Sequence, residues 1–248
     1  MASKRLAGLL ALLGAMAMRG VLADEIVERE YAQRRAAMVE EVSEMAREVA
    51  PSYGGTPLSP EVLEAMSRVP RHLFVPQQEQ RYAYQNRPLS IGHGQTISQP
   101  YIVALMSDLL AVKAGGRVLE VGTGCGYQAA VLAEMGVEVY SIEIVEPLAR
   151  QAAETLQGAG YGRVRVMAGD GYLGWPEHAP FDGVIVTAGA SHVPQPLLDQ
   201  LKPGGRMVIP LGEAYNVQDL LLIRKGENGD THSQNVIPVR FVPLTGGH

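Results

Sequence analysis

The residues best equipped for chemistry stand where apolar runs end. Val118-Leu-Glu-Val-Gly-Thr-Gly-Cys-Gly-Tyr127 places Gly122, Gly124 and Gly126 at alternate positions behind Glu120, with Thr123 among them. Such a loop lets main chain approach a ligand, and a helix opening near Tyr127 presents its N–H groups to a negative group. A second apolar run ends at Glu143, about twenty residues past the glycines, where an acid can accept both hydroxyls of a ribose. A third ends in Gly169-Asp-Gly171, where Asp170 can accept from an adenine amino group while Gly171 lets a flat ring lie close. A fourth ends in Thr187-Ala-Gly189, small residues that leave space. Each acid alone reads more readily as a solvated loop residue or a helix cap. Together, at successive strand ends, they describe one adenosyl-binding site.

Positioning these groups falls to a regular alternation of segments. Strand patterns cover 117–121, 138–143, 164–168, 183–187 and 207–211, with helical patterns at 128–135, 146–158 and 194–201 between them. That alternation predicts a doubly wound α/β fold, a mostly parallel sheet with helices on both faces. Ligands of such sheets bind at the carboxyl ends of the strands, near the point where strand order reverses. Two further strands, 219–225 and 236–242, are expected to pair antiparallel at the edge across a turn at 226–230. Upstream, 25–49 reads as a charged helix, and Ser59-Pro60 as an N-cap followed by proline at the first helical position. Residues 82–99 read as a long polar loop, a kind that often carries function. Gln99-Pro100 then opens a helix running to Leu110.

The E-x-G-x-G-x-G spacing differs from the dinucleotide fingerprint, whose third glycine would fall where Tyr127 stands. It resembles instead the first motif of S-adenosylmethionine-dependent methyltransferases. The loop Ile91-Gly-His-Gly-Gln-Thr-Ile-Ser-Gln-Pro-Tyr101 narrows this further: it is similar to the signature of the protein-L-isoaspartate O-methyltransferases. Val69-Pro-Arg-His-Leu-Phe-Val-Pro76, Gly169-Asp-Gly171, Ala179-Pro-Phe-Asp182, Gln200-Leu-Lys-Pro-Gly-Gly205 and Arg240-Phe-Val-Pro-Leu244 follow the same family pattern in order. Cys125 departs from it, standing where the family usually has serine.

The resemblance implies a Rossmann-like methyltransferase fold and methyl transfer from S-adenosylmethionine to the α-carboxylate of L-isoaspartyl residues in peptides and proteins. The ester then closes to a succinimide, and repeated cycles restore aspartate. It makes Ser98 the active-site serine, whose hydroxyl donates to the acceptor carboxylate. Serine N-capping of the helix at Pro100 is the competing role for that side chain. Gln95, Thr96 and Ile97 are expected along the same wall, with Val242, Pro243 and Leu244 meeting the peptide. Donor contacts are expected from Glu120, Gly122, Thr123, Gly124, Gly126, Tyr127, Glu143, Asp170, Gly171 and Thr187. A methyltransferase for another carboxylate, or an exported relative of the fold that only binds, remain the alternatives.

Bulk properties bound the rest. The 248 residues are 46% hydrophobic, enough for a sizeable core, and the net charge of −5 argues against a nucleic-acid surface. Six scattered histidines and one cysteine offer no metal-ligand spacing, and Cys125 lacks a disulfide partner. Lys4 and Arg5 precede an apolar run from Leu6 to Met18, and Val21-Leu-Ala23 offers a cleavage site before Asp24. That is the form of a secretory signal peptide, too short for an ordinary membrane span. The expected division is a signal peptide at 1–23, a helix and linker at 24–57 and a methyltransferase domain at 58–248. Cleavage implies a periplasmic or secreted enzyme, its absence a cytoplasmic one. A monomer without stable membrane association is expected.

Overall fold

The computed structural model describes the backbone of residues 2–246 and the side chains of residues 25–246. Helix α1 (Ala2–Val49) leads into α2 (Pro60–Arg68), which opens with proline behind Ser59 as the sequence predicts. The side chains of the expected export segment lie outside the described residues. Among those described, no helix is long and apolar enough to cross a membrane.

The segment read as a long loop contains structure. Strands β1 (Leu89–Gly92) and β2 (Gln95–Ile97) pair antiparallel, Leu89 opposite Ile97, around a turn in which His93 and Gly94 both adopt positive φ. With three and four residues they are too short for an alternation to be read. Helix α3 (Pro100–Leu110) follows at once.

The main sheet then begins. Its strands are β3 (Arg117–Val121), β4 (Glu138–Glu143), β5 (Arg165–Ala168), β6 (Phe181–Val186), β7 (Leu201–Leu211), β8 (Gln218–Lys225) and β9 (Thr231–Val239). Helices α4 (Tyr127–Glu134), α5 (Glu146–Gly158) and α6 (Gln195–Asp199) connect the parallel members. The order across the sheet is β5-β4-β3-β6-β7-β8-β9, with β8 antiparallel to both of its neighbours, β7 and β9. The fold is therefore the expected α/β sheet with antiparallel edge strands. The final strand is offset from its predicted span of 236–242: β9 starts at Thr231 and ends at Val239.

Strands β3, β4 and β6 are buried on both faces, which is why they read as nearly continuous apolar runs. One face packs Val118, Val139 and Ile185 against α3, α4 and α1, whose Met38, Val42 and Ala46 join the same cluster. The other packs Leu119, Tyr140, Val184 and Met207 with Leu197 of α6. Strand order reverses between β3 and β6, so their carboxyl ends frame a crevice.

Candidate active site

The crevice is lined by Gln95 to Ser98, Val121 to Cys125, Tyr127, Gln128, Ile142 to Ile144, Gly171, Thr187, Ala188 and Val242 to Thr245. The cleft is partly open to solvent. Fourteen expected site residues thus share one cleft. Glu120, Gly126 and Asp170 are the three that do not line it.

The glycine loop closes around its neighbours. Gly122 has φ 97°, and a Cβ there would stand 2.5 Å from Thr187 Oγ1, so only glycine fits. That hydroxyl donates to Gly122 O at 2.6 Å, tying the end of β3 to the end of β6. The N–H groups of Gly122 and Thr123 donate to Ile142 O at 2.8 and 3.2 Å, and that of Gly126 to Thr123 O at 2.8 Å. These three amides are engaged within the loop, while Gly122 and Thr123 still line the cleft. The N-terminal amides of α4 are the ones a helix start leaves unpaired.

Glu143 is 6% exposed at the end of β4. Its Oε2 accepts from Gly124 N at 2.7 Å and its Oε1 from Val145 N at 2.9 Å. Each carboxylate oxygen keeps a second lone pair for a hydroxyl in the cleft. Asp170 accepts from Tyr172 N at 3.0 Å and so caps the short turn Gly171–Leu173. The cap reading of Asp170 therefore holds, and Gly171 beside it is the residue that reaches the cleft. A Cβ on Gly171 would meet Val121 Cγ1 at 2.4 Å, so main chain lies flat there.

Glu120 supports the loop from behind. It is fully buried, its Oε2 accepts from the Ser141 hydroxyl, and its Oε1 has no partner. Ser141 in turn shares a 2.6 Å hydrogen bond with Thr123. Burial pushes the Glu120 carboxyl up to about 8, so it is neutral near pH 7.

The opposite wall is assembled from distant segments. Ser98 follows β2, and the N-cap position of α3 falls on Gln99 with no side-chain bond, so Ser98 is not the cap. Its carbonyl accepts from Arg71 Nη2 at 2.7 Å. Residues 242–244 lie beyond β9 and pair with the end of β6: Gly189 N donates to Val242 O at 2.8 Å, and Leu244 N to Gly189 O at 2.7 Å. The edge-strand reading of that tail is thereby replaced by a short parallel bridge. Cys125 lines the cleft, but burial pushes its thiol up to about 11, leaving it un-ionised. His192 shares hydrogen bonds with Tyr172 and Ser191 at 3.0 Å, and neither it nor His93 reaches the cleft. Sequence reasoning gave no role to Arg71, though a lone arginine in the apolar octet from Val69 to Pro76 is the signal that marks it.

The sheet order, the glycine loop at the reversal and the acid at the end of β4 define a Rossmann-like S-adenosylmethionine-dependent methyltransferase. A solved structure of that fold, described as a protein-L-isoaspartate O-methyltransferase from Plasmodium falciparum in complex with S-adenosyl-L-homocysteine, superposes with a TM-score of 0.70 at 25% identity. The match covers 85% of this chain and 98% of that one. Residues 50–248 match the family model described as protein-L-isoaspartate(D-aspartate) O-methyltransferase, and the chain belongs to this family. Curated relatives include protein-L-isoaspartate O-methyltransferase 2 of Syntrophobacter fumaroxidans, 62% identical over 88% of both chains. Another is protein-L-isoaspartate O-methyltransferase 1 of Cupriavidus necator, 56% identical over 88% of this chain and 84% of that one. The residues present fit the donor: Glu143 has lone pairs to offer, and Gly171 keeps side chains out of the way.

Proposed function

We propose that the protein methylates the α-carboxylate of L-isoaspartyl residues with Ser98 as the group that orients the acceptor. The carrying observation is that Ser98 and Glu143 line the same cleft. Bound S-adenosylmethionine supplies a methyl group activated by a sulfonium.

The residues of this chain do the rest. Glu143 accepts the ribose hydroxyls, Gly171 gives the adenine a flat surface, and Tyr127 brings the unpaired N–H groups of α4 to the donor's carboxylate. Glu120, Gly122, Thr123, Gly124, Gly126 and Thr187 hold that wall rigid, and Asp170 fixes the turn carrying Gly171. Ser98 donates its hydroxyl to the acceptor carboxylate, flanked by Gln95, Thr96 and Ile97. Val242, Pro243 and Leu244 receive the peptide main chain. A carboxylate with a reference pKa near 4 is already ionised at pH 7, so no general base is required. Orientation and exclusion of water supply the acceleration, a contribution of roughly 7–11 kcal/mol in well-aligned reactions.

Ser98→Ala tests the assignment. Donor affinity by calorimetry should be unchanged, while transfer to an isoaspartyl peptide falls on the order of a hundredfold, as for loss of one preorganised donor. Wild-type turnover would overturn the role of Ser98. For the compartment, the basic and apolar start of the chain supports export with cleavage before Asp24. A protein recovered from cells with its first residues intact would rule that out.

A further inference from the structure

Arg71 is a buried cation with no anion of its own. Its side chain is fully enclosed, with Nε donating to Ala83 O at 2.8 Å and Nη2 to Ser98 O at 2.7 Å. The guanidinium lies 4.7 Å from the centre of the Tyr127 ring, and Nη1 has no hydrogen-bond partner. Among the described residues no carboxylate pairs with it: the neighbouring Arg68 takes Glu64 and Glu134, and His72 faces Glu28. The titratable groups that surround it are Tyr127, Cys125 and Tyr84, all neutral at pH 7. Burial lowers the Arg71 pKa, but a guanidinium starts so high that it stays protonated, and buried charges in proteins are otherwise paired. Ser98, Tyr127 and Cys125, which enclose this charge, all line the cleft.

We propose that Arg71 is a positioning residue that supplies the counter-charge for the acceptor: it anchors Ser98 through its carbonyl, and the incoming isoaspartyl carboxylate completes the pair. The inference rests on the carboxylate being seated at Ser98. A brace between two carbonyls needs only neutral donors and would treat charged and uncharged ligands alike. A counter-charge beneath the cleft floor distinguishes an acid from an amide of the same shape. At an effective dielectric near 20, two unit charges about 8 Å apart in general interact by roughly thirty-fold in affinity, which sets the scale of the expected effect.

The experiment compares matched peptides bearing an isoaspartyl α-carboxylate or the corresponding α-carboxamide, bound in the presence of saturating S-adenosylhomocysteine so that no transfer occurs. Wild type should prefer the acid. Arg71→Met should lose roughly thirty-fold in acid affinity while amide and S-adenosylhomocysteine affinities stay within about twofold, and Arg71→Lys should recover part of the preference. An acid preference that survives in Arg71→Met reduces Arg71 to a brace and overturns the proposal, leaving Ser98 untouched. Acid binding and transfer that survive Ser98→Ala remove the seat itself, a distinct failure. If the methionine variant does not fold, the wild type decides the matter. A buried counter-charge keeps the acid preference at about 1 M salt, where the screening length is near 3 Å, whereas convergence of the two affinities places its origin at the surface and overturns the proposal.

Discussion

On the proposed donor side of the cleft, Gly124 N donates to Glu143 at 2.7 Å and the Thr187 hydroxyl to Gly122 O at 2.6 Å, so neighbouring strand ends are tied together. On the acceptor side, Ser98 rides on a seven-residue pair of short strands held by Arg71, which also ties down Ala83. Asn86 accepts from Tyr101 N at 3.0 Å, fixing the start of α3 from the same loop. The two walls thus face one ligand pair but draw their rigidity from different sources. The donor wall inherits it from a parallel sheet buried on both faces. The acceptor wall depends on a few polar side chains buried between the sheet and the N-terminal helices. On the proposed assignment, a common donor is received by an inflexible framework, while the specific acceptor meets a separately braced layer.

The difference can be broken first at Glu120. Its carboxyl is raised from 4.5 to about 8 by burial, so the fold favours its protonated form. That stabilisation is complete below pH 4.5 and is lost as pH rises through about 8. The total change is roughly 3–5 kcal/mol. Glu120→Gln should flatten the fall in stability seen by denaturant titration over this range, and parallel curves for variant and wild type would refute the assignment. A smaller effect is expected at Glu143. Glu143→Gln replaces a carboxylate that accepts from two backbone amides, and donor affinity should weaken by about 1.5–3 kcal/mol. The peptide KM at saturating donor should not move. If both constants shift together, the two walls are not separable in the way described.

Legibility in the sequence follows the same division. The donor wall was readable because each anchor sits at the end of an apolar run, and β3, β4 and α5 fall on their predicted spans. Seven of the expected donor residues meet in the cleft for this reason. What the pattern could not give was orientation. The same period of two places Glu120 inward, under the loop, and nothing local distinguishes an acid that supports from one that binds. Nor could it reveal Arg71 reaching across 27 positions to Ser98, or Gly189 holding Val242 and Leu244. Those contacts exist only once tertiary packing brings the segments together. On the residues alone Ser98 fitted a helix cap as well as a hydrogen-bond donor, and family resemblance assigned its role.

The smallest effect concerns the layer behind Arg71. His72 is 3% exposed and stacks on Tyr31 of α1 with ring centres 3.8 Å apart and planes within 9°. Its Nδ1 shares a 2.8 Å hydrogen bond with Tyr84, and Glu28 and Arg35 of α1 are the charged groups facing it. Burial lowers its pKa below 6.5, with Glu28 opposing and Arg35 assisting. The unfolded chain therefore binds the proton more readily, and stability contributed by this contact is present above 6.5 and lost as pH falls below it. The sign is opposite to that at Glu120, so acid loosens the N-terminal layer while alkali strains the donor wall. Hydrogen exchange of α1 amides between about pH 7 and pH 5, corrected for intrinsic rates, should show protection declining in wild type and holding steady in His72→Gln. Because Glu28 partly offsets burial, the decline should be modest. Equal decline in both proteins would mean that His72 does not govern the docking of α1.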